Sequence, residues 1–412
     1  MAIAKSSMKK SRNLLFLFFA IFLWHTSLLF SQPKYALNDL NSVLKSTKPD
    51  TASCQFLIDI ENNNKNVSSD SALIILNKVQ ELAIAGETNT HNILFTFYEA
   101  KALLAIGEIQ NKKLGEYDAA FTNFSKSYLL FEDVINKSLD VDAIRKSKLG
   151  EARSLCAIGE IYLAKGQNDK AFNHFKSSLK ISHELLDKEG IATCLNNIGL
   201  IKKYLGNDIL AKDFFLNSLS LRSELNNKQG IIECLNNLSD LYQQQKNYTE
   251  AIQYIEMGLK INEELQDKKA LAIDYKNIAN LHLQAIADSK NINTKDKNTH
   301  LNQAVEYAEK SYQLAKEINF LPLVSLSCST LQKAWAIIGD PANSKKYKEI
   351  YVATKDSIHK NNHAQIVAEA NIDNQSEANQ KENSSPKNII WIAIGSIILL
   401  VLLAFIIFRE KF

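Results

Sequence analysis

Asparagine recurs forty residues apart at Asn197, Asn237 and Asn277, within Leu195-Asn196-Asn197-Ile198-Gly199, Leu235-Asn236-Asn237-Leu238-Ser239 and Tyr275-Lys276-Asn277-Ile278-Ala279. A carboxamide donates and accepts hydrogen bonds, so amides aligned on one face can pair with the backbone of an extended peptide whatever its side chains are. The same amides can instead bond neighbouring helices, and that alternative stays open. Ala157 holds the corresponding place one period earlier, so a row of amides starts at Asn197. With the helix phase these asparagines set, Glu160, Lys203, Tyr204, Asp240, Gln243, Gln244, Asn280 and Gln284 fall on the same side. For each of them the bland reading is a solvated helical face. The candidate peptide-binding residues are therefore Asn197, Asn237, Asn277, Lys203, Tyr204, Asp240, Gln244 and Asn280. A basic clamp for terminal carboxylates needs several aligned cations, and only Lys203 and Lys276 qualify loosely.

Groups for covalent or acid–base chemistry are scattered. His174, His183 and His282 stand on separate helices, away from any serine or cysteine in a nucleophile setting, and read as exposed or packing residues. No glycine-rich phosphate loop, His-Glu-x-x-His or paired-carboxylate motif occurs, so the expectation is a chain that is no enzyme and holds no cofactor or metal. Cys156, Cys194 and Cys234 occupy near-equivalent places in successive repeats. Equivalent helices of adjacent units lie roughly 8–10 Å apart and a disulfide needs Cα atoms within about 7 Å, so free buried thiols are expected. A metal or redox site is the alternative, without a CxxC motif to support it.

The elements that carry these residues repeat. Gly150 to Glu189, Gly190 to Gln229 and Gly230 to Lys269 align without a gap, each as an apolar helix, a short turn and a second apolar helix. No proline falls between Asp50 and Leu321, and apolar residues recur at three- and four-residue spacing, as an all-helical segment requires. Gly166, Gly206 and Gly339 mark turns where a left-handed backbone ends a helix.

Leu155, Ile158, Gly159, Tyr162, Ala171, Phe175 and Ser178 in the first unit resemble the packing residues of the tetratricopeptide family, in its forty-residue form with a longer second helix. The second unit matches with Leu195, Ile198, Gly199, Ala211, Phe215 and Ser218, and the third with Leu235, Leu238, Tyr242, Ala251, Ile255 and Gly258. The resemblance implies an all-α fold, a tetratricopeptide helical-hairpin solenoid whose concave groove binds protein or peptide partners. In that family the matching asparagines hold peptide backbones.

The flanks diverge. Ser71 to Gly86 reads as a helix and Tyr98 to Phe131 as a further unit with a lengthened turn through Asn111 to Gly115. Ala270 to Phe320 keeps the pattern apart from a polar insertion around Lys290 to Asn298, expected as a mobile loop, and a last unit runs from Val324 through Tyr351. Basic Lys5, Lys9, Lys10 and Arg12 before apolar Leu14 to Trp24 read as a signal peptide over 1–31, with an uncleaved anchor as the alternative. The charge-free run Ile389 to Phe408, followed by Arg409 and Lys411, reads as a C-terminal transmembrane helix with the tail 409–412 in the cytoplasm. Between them come an N-terminal helical cap at 35–90, the repeat solenoid at 91–360 and a polar juxtamembrane tether at 361–388. The expected localisation is a single-pass inner membrane protein, bound to the lipid bilayer, with its repeats exported to the periplasm.

Lys355-Asp356-Ser357-Ile358 and Gln365-Ile366-Val367-Ala368-Glu369 resemble the corresponding segment of bacterial tetratricopeptide sensor histidine kinases and regulators, here without a cytoplasmic output domain. That resemblance implies a sensor input or scaffold, or else a signal-transduction protein acting through a separate membrane-bound signalling partner. The formal charge of +3 comes from the ends: without their six basic residues and Glu410 the chain carries 42 basic and 44 acidic side chains, which gives no footprint for nucleic acid.

Overall fold

The computed structural model describes residues 48–63, 68–289 and 293–360. Thirteen named helices follow one another: α1 Thr51–Asn63, α2 Ser69–Thr90, α3 Ile93–Ile109, α4 Tyr117–Lys137, α5 Val141–Ala164, α6 Asn168–Leu185, α7 Lys188–Tyr204, α8 Asp208–Glu224, α9 Lys228–Gln244, α10 Tyr248–Leu265, α11 Lys268–Asp288, α12 Thr294–Glu317 and α13 Leu321–Ile338. A further helix, α14, covers residues 341–360. Among the described residues there is no strand. The result is an all-helical tetratricopeptide-like solenoid, described as two compact units, up to Asn237 and from Leu238, with α9 running through the division.

In the first unit α3 pairs with α4, α5 with α6 and α7 with α8. Each pair closes where a glycine on the first helix meets a phenylalanine on the second. A Cβ on Gly107, Gly159 or Gly199 would stand 2.6–2.7 Å from the ring of Phe124, Phe175 or Phe215 respectively. A second tie recurs beside it: Ser127, Ser178 and Ser218 are buried and donate to the carbonyls of Ala100, Ala152 and Ala192 at 2.8, 2.7 and 2.7 Å. These three hydroxyls satisfy themselves on helical carbonyls, so burying them leaves none of the three orphaned. Successive hairpins then stack through Cys156, Phe175, Cys194, Ile198 and Ile201. All five cysteines are buried and unpaired, as expected of structural thiols.

In the second unit Ser311 repeats the serine tie onto the carbonyl of Ala272 at 2.6 Å, and Ile255 packs with Ile278 and Leu281. The polar insertion differs from expectation. Residues 294–298 open α12, because Asn293 caps the helix by accepting from the Asp296 N–H and Asp296 lies in the first turn; 290–292 lie outside the described residues. The lengthened turn after α3 is likewise a π-helical turn, Gln110–Leu114, stopped by Gly115 at φ +70°.

The hairpin turns hold one conformation with different residues. Gly166 and Gly206 take φ of 69° and 71°, and forty residues on Lys246 takes 62°. A side chain in the left-handed region costs roughly 1 kcal/mol. Lys246→Gly is expected to raise stability by about 0.5–1 kcal/mol in urea unfolding, since the exposed ion pair to Asp288 that it removes, 3.4 Å long, contributes little.

The expected membrane topology is corrected. Among the described residues no helix is long and apolar enough to cross a membrane. The single-pass inner membrane placement with periplasmic repeats is therefore not supported, because the described helices spend their apolar residues on one another. The segments read as signal peptide (1–31), tether (361–388), transmembrane helix (389–408) and tail (409–412) lie outside the described residues.

Candidate functional site

First helices of adjacent repeats run in register, so residues forty apart lie at equivalent places and residues 37 or 41 apart touch. Asn197 donates to Glu160 Oε1 at 3.3 Å and to Cys156 Sγ at 3.7 Å. One repeat on, Asn196 donates to Glu233 at 3.0 Å, and Asn237 donates to Asn196 Oδ1 at 2.8 Å. The amide row on α7 and α9 thus spends its N–H groups on the preceding repeat, the bonding between neighbouring helices that the sequence left open. Asn197 is buried and Asn237 half-buried. An amide oxygen keeps two lone pairs, so each retains an acceptor for a ligand N–H.

The other candidates separate. Lys203 is buried with its ammonium 5.8 Å from the centre of the exposed Tyr204 ring. In the second unit, Asn277 is half-buried. Asn280 accepts from the buried Thr330 hydroxyl of α13 at 2.9 Å, which turns it into packing. Asp240 and Gln244 are exposed and line an open recess of about 530 Å³ with Gln243, Lys246, Tyr248 and Asp288. There Gln243 donates to Gln284 at 2.9 Å, and the Tyr248 hydroxyl donates to Asp288.

A deeper cleft of about 220 Å³ opens among α3, α5, α6 and α7 of the first unit. Glu108, Lys112, Arg153 and Glu160 line it, with Ser178 and Ser182 farther along. Glu160 is half-buried, and burial lifts its carboxyl above the usual range against the pull of Lys112 and the Asn197 amide, while Glu233 and Glu108 add to the rise. The Ser182 hydroxyl is fully buried and has no hydrogen-bond partner among the described residues. Cys156 is a protonated thiol: the Cys194 thiol beside it and burial both push it up, which leaves it unsuited as a nucleophile.

Three polar features escaped the sequence reading. Ser182, Arg222 and Asn262 share one repeat position, and Cys194, Cys234 and Asp274 share the position that faces it. Arg222, 3% exposed, donates to the Gly230 carbonyl at 3.0 Å and to Glu233 at 2.8 Å. Asn262 donates to the buried Asp274 carboxyl at 2.7 Å. The third feature is the pairing of His282, expected to be isolated, with His300 at 2.9 Å between Nδ1 atoms. The forty-residue register already linked the first two. His300 lies two residues past the insertion read around Lys290 to Asn298 and was not weighed, so nothing placed it beside α11.

Residues 150–224 and 190–264 each match the family model described as tetratricopeptide repeat. A search of the curated proteins finds no match. Solved structures similar to this chain include BtubC (BKLC) from P. vanneervenii, at 18% identity over 62% of this chain and 94% of that one with a TM-score of 0.46. The apo form of RapI aligns at 15% identity over 75% and 99% with a TM-score of 0.48. Aspartyl phosphate phosphatase F from Bacillus subtilis aligns at 15% identity over 77% and 74% with a TM-score of 0.49. At these identities and scores the likenesses carry no argument about function.

Proposed function

We propose that the tetratricopeptide repeats serve as an interaction module that holds an extended segment of a partner protein along α3, α5, α7 and the first-unit part of α9, up to Asn237. The observation that carries this reading is the polar cleft among α3, α5, α6 and α7, whose Glu160 accepts from Asn197, the residue that the asparagine row continues one repeat on at Asn237. Extended peptides gain affinity through their main chain, and amide acceptors in register with stacked repeats suit that need. The groove binds and positions a partner. Glu160 and Asn197 act there as recognition groups.

Fluorescein-labelled randomised decapeptides titrated with the full chain test the reading by anisotropy. Changing Asn197 and Asn237 together to Ala is expected to weaken binding by about tenfold or more, a loss of about 1.4 kcal/mol. Asn277→Ala, in the other unit, is expected to change it less than about threefold. Helical content by circular dichroism controls for the loss of the bonds to Glu160 and Asn196. Unaltered binding by the folded double variant would remove the groove from the account.

A further inference from the structure

The charges of the first-unit cleft are unbalanced. Four carboxylates, Glu108, Glu160, Asp187 and Glu189, line it against two cations, Lys112 and Arg153. Both cations are exposed, where solvent and salt screen them. Glu160 is half-buried and receives one described hydrogen bond, the long one from Asn197 at 3.3 Å. Glu189 accepts from Asn227 at 2.8 Å and lies 3.6 Å from the Arg222 guanidinium, so the structure already partners it. Among the described residues no ion pair engages Glu108, Glu160 or Asp187, and of these three Glu160 is the one that accepts from the asparagine row.

A second observation is independent of charge. Ser182 is 0% exposed, lines the same cleft and has no partner for its hydroxyl among the described residues. The two equivalent positions in later repeats are occupied by groups that do find partners, Arg222 and Asn262. In the second of these repeats the guanidinium of Arg222 fills the seam from within the chain. In the first, Ser182 leaves that seam open and offers an acceptor to an incoming donor. Size narrows the ligand further: about 220 Å³ falls below the roughly 300–1,000 Å³ of small-molecule pockets and suits a single long side chain.

We infer that this cleft takes the cationic side chain, arginine or lysine, of a peptide lying along the groove, with Glu160 as its counter-charge and the Ser182 hydroxyl as a further acceptor. The inference rests on the groove reading above and adds the residue class that the groove selects.

The test uses the full chain and three fluorescein-labelled decapeptide pools, randomised except for one central residue fixed as Arg, Gln or Glu. The Arg pool is expected to bind about tenfold more tightly than the Gln pool, with the Glu pool weakest and the preference shrinking as salt rises. Glu160→Gln keeps an acceptor for Asn197 and is expected to bring the preference for the Arg pool over the Gln pool below about threefold. Ser182→Ala is expected to lower the Arg preference alone. If Glu160→Gln loses helical content, the exposed Glu108→Gln gives the same readout with a smaller change. Equal binding of all three pools, or a preference for Glu, with the dependence on Asn197 and Asn237 intact, overturns the cationic selection and leaves the groove standing. Absence of binding by every pool overturns both.

Discussion

Phe215→Ala is expected to destabilise the chain by about 3–5 kcal/mol, the range for removing a fully buried aromatic ring from a core that cannot collapse around the gap. The ring is 0% exposed and reaches to 2.7 Å of where a Cβ on Gly199 would stand. The two residues are halves of one fit. Gly199→Ser alone is expected to cost about 1–3 kcal/mol through overpacking, because the Phe214 Cβ at 3.2 Å closes the other side. The next repeat shows the alternative solution, Ser239 with Ile255, in which the serine hydroxyl donates to the Ala251 carbonyl at 2.8 Å. Installing that pair as Gly199→Ser with Phe215→Ile is expected to cost about 1 kcal/mol less than the sum of the single changes. Urea unfolding followed by circular dichroism reads all four corners of this cycle. Additive costs would mean that the two positions do not complement each other.

A second large effect is hidden in the parent chain. Asp274 and His282 both lie on α11, are 4% and 5% exposed, and titrate in opposite senses. Burial, with Asp267 adding to it, raises the Asp274 carboxyl to about 6 despite the Asn262 hydrogen bond. Its native form therefore holds a proton more tightly than the unfolded chain, and stability falls as pH rises from about 4 to 6. Burial, aided by charge on His300, lowers His282 to about 4, so its contribution is complete above about 6.5 and is lost as pH falls toward 4. Each shift corresponds to about 3 kcal/mol, and over this window the two slopes nearly cancel. Asp274→Asn keeps an acceptor for Asn262 and is expected to stabilise the second unit at pH 7 by about 2–3 kcal/mol, with the gain vanishing toward pH 4. His282→Leu removes the opposite slope, so its cost relative to the parent is expected to shrink on acidification. Hydrogen-exchange protection in α10 and α11 across this pH range reports both variants. A pH-independent gain from Asp274→Asn would contradict the buried ionised carboxylate.

Where the forty-residue register is intact, the sequence carries most of the architecture. Gly159 and Phe175, Gly199 and Phe215, and the serines at 178 and 218 announce the hairpins, because close helix approach leaves few residue types that fit. The register also contains the inter-repeat bonds: Glu160 with Asn197 and Asn196 with Glu233 are both 37 apart, three short of the period, as stacked helical faces require. Composition misleads where it stands in for geometry. Lys290 to Asn298 reads as loop because it is polar, yet Asn293 followed by Asp296 is a helix-starting pattern. The asparagine row was visible as a row, but which groups its amides would spend themselves on depended on the stacking offset. Ser182 escaped notice because a lone serine in a helix carries no signal until its neighbours are seen.

The claim that the first helices form the recognition groove is tested most directly by photo-cross-linking. An arginine-fixed decapeptide pool carrying a diazirine, bound to the full chain and mapped after proteolysis, is expected to label peptides from α3, α5 and α7 around Glu108, Arg153 and Thr193, with labelling suppressed by excess unlabelled pool. Competable labelling confined to the second helices α4, α6 and α8 would contradict the account.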